Sequence, residues 1–336
     1  MTRLAVLFAA LAASSTPALA VAAPAYRVAG SIAVPDGGWD YASVDPATNR
    51  LFIARSGSVT AISLGSDRKV TSFGTIARGH AVVPLPDEHL AVTSGKDDSL
   101  RLFGQEGGEQ TGTVTVGSGP DAAIADGMTG NVLVMNAHGG TVSVVDPRAQ
   151  KVVRSIALQP GLEFAALDRH DTLFVNNEDL NHIDVVTPAT GAVAAPIALT
   201  GCEGPSGLAY DAQTDRLIAA CANGKAAVID AARRRLVGLL DIGKGPDAVL
   251  LDTKRRLAFI PCGRDGTLVE IALDGTIGPR VIATIPTEIG ARTGALDPRD
   301  GAIYLPTARF GPPPAAGLRP APIPGSAHVL VVRPAR

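Results

Sequence analysis

Seven polar residues of this 336-residue chain stand at nearly equal intervals: Asp40, His80, Asp121, Glu163, Ser206, Asp247 and Arg292, separated by 40, 41, 42, 43, 41 and 45 positions. Each leads a stretch rich in small and apolar residues, as in Trp39-Asp40-Tyr41-Ala42, Gly79-His80-Ala81-Val82 and Leu162-Glu163-Phe164-Ala165. If the fold gathers them, four carboxylates, an imidazole, a hydroxyl and a guanidinium share one small circle. Such a circle suits a charged small molecule, proton transfer or a metal ion. It also needs countercharge, because crowded carboxylates do not all ionise alone. Arg292 is the expected countercharge for Glu163 and the neighbouring acids, and a divalent cation is the other. A second tier is expected from the ends of the following apolar runs: Arg55, Asn136, His138, Asn177 and Glu178. Within these two tiers Glu163, Asn136, Asn177 and Asp247 suit a divalent ion bound through oxygen, and His80 with His138 or Glu163 suits a transition metal.

A structural role stands beside each of these readings. Polar residues at the start of a strand often accept hydrogen bonds from turn N–H groups or hold water. The repeated phrases Gly117-Ser118-Gly119-Pro120-Asp121 and Gly243-Lys244-Gly245-Pro246-Asp247 have the composition of such turns. His89, His170 and His328 fall at expected turns or strand ends, where a solvated ring is the ordinary outcome, and His182 is expected at an edge or surface. Recognised catalytic spacings do not occur: no His-Glu-x-x-His, no paired Cys-x-x-Cys, no haem-attachment motif, no phosphate loop and no nucleophile elbow. The nearest approach to a dinucleotide fingerprint, Gly117-Ser118-Gly119, has Ala122 in the third glycine's place and opens a strand, so no helix N-terminus follows to hold a pyrophosphate. Ser206 has Glu203 nearby and no adjacent His base.

The elements that must position these residues follow from the period. A repeat of about 41 residues that contains strands marks a propeller or a solenoid. The third repeat resolves into Ala122–Ala125, Asn131–Met135, Thr141–Val145 and Val152–Ile156, separated by the polar turns Asp126–Asn131 and Asp146–Ala149. Short apolar runs bounded by turn residues suit strands buried on both faces, and four of them make one blade. The chain is therefore expected to be an all-β, seven-bladed propeller with the lead residues around one mouth of its channel. The seventh blade has Gly294–Asp297, Ala302–Leu305 and Val329–Val332 and lacks a fourth strand. Tyr26–Val34 at the other end of the chain supplies it, which removes two open sheet edges at once. The Pro- and Gly-rich segment 308–326 is expected to be a long functional or mobile loop within that blade.

Several phrases resemble the YncE-like, or YVTN-repeat, propellers. They are Asp40-Tyr41-Ala42-Ser43-Val44-Asp45-Pro46, Gly117–Asp121, Asn176-Asn177-Glu178-Asp179, Cys202-Glu203-Gly204-Pro205-Ser206-Gly207-Leu208, Gly290-Ala291-Arg292-Thr293 and Pro324-Gly325-Ser326. The resemblance covers residues 26–334 and falls in order across different blades. It implies an exported seven-bladed propeller, in a family that has no agreed catalytic set. Two functions are consistent with these residues. One is a binding or scaffolding protein that holds a small molecule or a periplasmic protein at a channel mouth. The other is a metal-dependent hydrolase, similar in plan to propeller lactonases, built on the ring. An accessory of quinone-dependent dehydrogenases is a third, but the tryptophan motifs of such propellers are missing.

Composition narrows the setting. Arg3, the apolar run Leu4–Ala13 and the small-x-small site Ala18-Leu19-Ala20 are the parts of a cleaved secretory signal over residues 1–23, leaving a single propeller domain over 24–336. The run is too short to span a bilayer, and there is no cysteine at the cleavage site to carry a lipid. Without Arg3 the balance is 29 Lys+Arg against 32 Asp+Glu, or −3, and aromatics make up 4% of the chain. Both facts weigh against nucleic acid, which selects a basic face and stacking platforms. A periplasmic or secreted monomer without a transmembrane segment is the expectation. In that compartment Cys202 and Cys221, at the two ends of one expected hairpin, are suited to a disulfide, with metal ligation by the pair the alternative. Cys262 is left as a small buried side chain or a free thiol.

Overall fold

The computed structural model describes residues 26–274, 278–314 and 320–335; the leader expected at 1–23 and the tip of the segment 308–326, residues 315–319, lie outside them. The described residues form 28 strands and no helix. The strands make seven four-stranded antiparallel sheets, six of them built from consecutive strands: 39–73, 79–115, 120–157, 162–198, 205–241 and 250–286. The seventh joins Ala295–Leu296, Ile303–Thr307 and His328–Pro334 to Tyr26–Ala33, which pairs antiparallel with His328–Pro334 on its outer edge. The N-terminal strand therefore closes the propeller as expected, and Tyr26 packs edge-on against Phe259 of blade 6 at 4.6 Å between ring centroids.

Each blade buries both faces against its neighbours, which is why its middle strands read as unbroken apolar runs. One cluster joins Phe52, Ala54 and Val59 of blade 1 to Leu90, Val92 and Phe103 of blade 2. Another joins Phe174 and Ile183 of blade 4 to Leu217 and Ala219 of blade 5. In blades 1, 3, 5, 6 and 7 the turn that ends the first strand is held by an aspartate whose carboxylate accepts an N–H two or three residues on. Asp45, Asp126, Asp211, Asp252 and Asp297 do this, a second regularly spaced set of acids that serves turns. Those turns finish in the left-handed region, at φ 56° for Asn49 and 54° for Asp215, and at 77° for Gly130 and Gly301, where glycine carries no Cβ penalty.

The disulfide expected between Cys202 and Cys221 is present, with 5.4 Å between Cα atoms. Its place in the blade explains it. The last residues of the second strands, Arg55, Ser94, Asn177, Cys221 and Thr307, all tie down the connector that leads into their own blade. Arg55 donates to the carbonyls of Pro35 and Gly37, Ser94 accepts from Ala77 N, Asn177 donates to Pro160 O and Thr307 to Ile289 O. Blade 5 makes this tie covalently. Cys262 occupies the same position in blade 6 as a buried free thiol, its pKa pushed up to about 12 chiefly by burial.

Candidate functional site: a ring at the channel mouth

A shared irregularity turns the lead residues inward. In blade 1 Trp39 pairs with Arg55 but Ala42 pairs with Ile53, so the inner strand carries one residue more than its partner. The same shift separates Gly79 from Val82, Pro120 from Ala123, Leu162 from Ala165 and Pro205 from Leu208. Asp40, His80, Asp121, Glu163 and Ser206 each sit in this bulge, and a bulge re-aims the side chain it carries. In blade 6 the pairing also slips by one residue between Pro246 and Leu250, so Asp247 is presented the same way. The bulged backbone is held from the adjacent blade: Thr93 donates to Asp121 O, Asn176 to Ser206 O and Thr293 to Asp40 O.

Five lead residues link into a chain of alternating charge. Arg292 Nε lies 2.7 Å from Asp247 Oδ2, and its Nη2 lies 3.7 Å from Asp40 Oδ1. His80 Nδ1 lies 2.7 Å from Asp40 Oδ2 and 3.1 Å from Asp121 Oδ1. Glu163 is not in this chain. Its carboxylate accepts a 3.2 Å hydrogen bond from Tyr41 Oη, which crosses the channel from blade 1 to blade 4. The expectation that Arg292 is the countercharge of Glu163 is thus corrected: the guanidinium is spent on Asp247 and Asp40, and a phenol meets the glutamate. Ser206 also turns away, donating to Pro246 O of blade 6.

Burial raises Asp121 to about 7 against the pull of His80, with Asp40 and Asp247 adding to the rise. Burial first, then the charges of Asp121, Asp247 and Glu178, hold Glu163 well above the usual carboxylate range. Burial also raises Asp247, against the favourable charge of Arg292. For His80, burial opposes the charged ring, but the hydrogen bond to Asp40 and the charge of Asp121 outweigh it, so the imidazole titrates above its ordinary value. The mouth is thus an acidic cup in which Arg292 and the His80 ring serve Asp40, Asp121 and Asp247, and Glu163 has a phenol as its partner.

Sequence reasoning missed the floor of the cup. Tyr41 and Phe164 follow the lead residues in blades 1 and 4, and their rings meet at 4.9 Å between centroids. The signal was available: Ala81, Ala122, Gly207, Ala248 and Thr293 are the small or medium residues at the same place in the other blades. The expected second tier largely fails to reach the ring. Arg55 and Asn177 are buried in their connectors, as above. Asn136 donates to Thr141 and Ser143 beneath Gly117, where any side chain would collide with it. His138 and Glu178 are exposed at the rim. Of the oxygen set suggested for a divalent ion, the two asparagines are therefore committed elsewhere, and the groups that do meet are Asp40, His80 and Asp121, with ligand atoms all within 4.8 Å of one another. His182 and His328 are less solvated than expected: they lie 3.2 Å from Asp184 and 3.1 Å from Glu288.

The described residues 308–314 and 320–327, between Ile303–Thr307 and His328–Pro334, start from the strand ends on the side of the lead residues. They pair at Phe310 and Pro322, Phe310 faces Trp39 at 6.5 Å, and Asp36 accepts the N–H of Gly325.

No protein-family model and no curated protein sequence matches this chain. Solved structures do. Hydrazine synthase of Kuenenia stuttgartiensis is 17% identical, with a TM-score of 0.69 over 82% of this chain and 94% of that one. Virginiamycin B lyase of Staphylococcus aureus is 13% identical, with a TM-score of 0.71 over 92% and 99%, and a streptogramin B lyase is 12% identical, with 0.72 over 92% and 98%. At these identities the likeness is one of fold, and the class it defines is the seven-bladed β-propeller.

Proposed function

We propose that this chain is an exported binding or scaffolding propeller of the YncE-like kind, and that its ring holds a small ligand carrying positive charge. The observation that supports this most is the imbalance at the mouth: Arg292 and His80 pair with Asp40, Asp121 and Asp247, while Glu163 meets the Tyr41 hydroxyl instead of a cation. A cation entering the cup favours the ionised carboxylates. With Asp121 raised to about 7 and Glu163 well above its ordinary range, binding at neutral pH then releases protons. The test is calorimetric titration with Mn²⁺ and, separately, with 1,4-diaminobutane, each in two buffers of different ionisation heat. The expected result is saturable binding of one of them with net proton release, weakened in Asp121→Asn. Failure of both probes to bind, or binding with no proton exchange, would remove this reading.

The disulfide supports an oxidising compartment. No helix of the described residues is long and apolar enough to cross a membrane. Cleavage after residues 1–23, export to the periplasm and a monomeric state complete the proposal. N-terminal sequencing and mass measurement of the exported protein check them.

A metal-dependent hydrolase is the second reading, favoured by the meeting of Asp40, His80 and Asp121. One imidazole and two carboxylates suit a first-row transition metal that keeps open positions for water and substrate. Two of the structural neighbours are lyases by name, so propellers of this shape do carry enzymes. Lactone or ester hydrolysis by the purified protein, abolished by chelation and restored by the ion, separates the two readings, since both admit a bound cation and only the enzyme turns substrate over.

A further inference from the structure

Beside the Tyr41–Phe164 pair lies a chamber of about 360 Å³, which differs from the cup in having no ionised side chain on its wall. The two aromatic rings, with Val44, Val249, Leu251 and Leu296, form much of that wall. None of the ring's carboxylates or cations lines it. The chamber lies against blades 6 and 7, where the inner strands are short. Their ladders begin at Leu250 and Ala295, so the backbone of Ala248, Val249 and Gly294 borders the chamber outside the sheet. The chamber's surface is mixed, apolar side chains alternating with Ser43 and bordering backbone, and a partly apolar cavity of this volume with convergent polar groups falls in the usual range for a small-molecule pocket. An engineered apolar cavity of roughly 150 Å³ holds benzene, so this one accommodates about two fused rings.

We propose that this chamber is a second binding site, independent of the ring, for a neutral, flat aromatic molecule of two rings that carries one hydrogen-bonding group. Tyr41 and Phe164 supply the stacking surface. The backbone bordering the chamber at Ala248, Val249 and Gly294 receives the polar edge. The absence of ionised side chains from the wall excludes charged ligands, which the cup would take instead.

The experiment uses 2-naphthol as the probe and equilibrium dialysis with the whole exported protein. Leu296→Trp and Val44→Phe each enlarge a half-exposed side chain on the chamber wall and fill the space. One molecule of 2-naphthol per chain is expected to bind saturably, with at least a tenfold loss of affinity in either filling variant. Asp247→Asn, which alters the ring and not the chamber, is expected to change affinity less than twofold. Circular dichroism and melting of each variant identify any that fails to fold, and the remaining one carries the test. No saturable binding by the wild-type protein would overturn the proposal. So would unchanged affinity in both folded filling variants, or loss of binding in Asp247→Asn alone, which would put the probe in the ring.

Discussion

At the scale of single residues, Glu270 is the side chain most at odds with its surroundings. It is fully buried in the third strand of blade 6, opposite Phe259, and neither carboxylate oxygen has a hydrogen-bond partner. The same slot holds Ala61, Leu102, Val144, Val185, Val228 and Val331 in the other six blades, so the fold itself asks for an apolar residue there. Burial raises the carboxyl above its ordinary value of 4.5. A carboxyl with a raised folded-state pKa binds its proton more tightly when folded. Its contribution to stability is therefore complete below the unfolded value and is lost as pH rises through the folded one. Glu270→Val is expected to stabilise the protein by roughly 2 kcal/mol near pH 8, since replacing an unpaired buried charge by a well-packed apolar group is favourable. The gain should shrink toward pH 4.5. Melting temperatures across that pH range check it, and an equal or negative change at pH 8 would show that Glu270 has a partner in solution.

Among the elements, the connectors matter as much as the strands. A guanidinium, hydroxyls, an amide and a disulfide do the same work at equivalent positions, fixing the segment that delivers each lead residue to the mouth. Closure depends on a single pairing, Tyr26–Ala33 on His328–Pro334, together with Tyr26 against Phe259. Deleting residues 24–34 uncovers the edge of His328–Pro334 and removes a buried tyrosine from the blade 6 boundary. An exposed strand edge invites pairing with another chain, so the truncated protein is expected to aggregate or to melt well below the intact one. Loss of the tyrosine alone corresponds to about 3 kcal/mol or more, on the scale of large aromatic-to-alanine replacements in cores. Light scattering and calorimetry measure both effects, and a soluble monomer with unchanged melting would mean that the strand is only an appendage.

For the molecule as a whole, the ring joins blades that are far apart in sequence into one electrostatic unit. Among the described residues Arg292 is the only cation of permanent charge in contact with its carboxylates, and its side chain is 41% exposed, so it can be removed without opening the core. Arg292→Met should leave folding intact, raise Asp247 further and draw protons onto the ring near neutral pH. Cation binding should tighten, because the competing guanidinium is gone, whereas Glu163→Gln should weaken it. Each change is expected to be of the order of tenfold, about 1.4 kcal/mol. Calorimetry with Mn²⁺ and potentiometric titration of both variants give the comparison. If neither substitution moves binding or titration, the ring only holds the propeller mouth together.

The number of blades, the closing strand and the disulfide were legible in the sequence because each is written locally and repeatedly. Apolar runs of four to six residues, turn residues at fixed offsets and a period near 41 act within one blade, and two cysteines at the ends of one hairpin need no distant information. The spacing of the lead residues was legible for the same reason, though Ser206 turns to Pro246 and leaves the ring. The wiring of the ring was not. Tyr41 reaches Glu163 across 122 positions, Arg292 chooses Asp247 and Asp40 over Glu163, and Asn136 and Asn177 turn into their own blades. Those outcomes rest on the bulge in each inner strand and on the width of a channel that seven blades leave between them. Both are set only when the propeller closes, because side chains from opposite blades then have a definite distance to span.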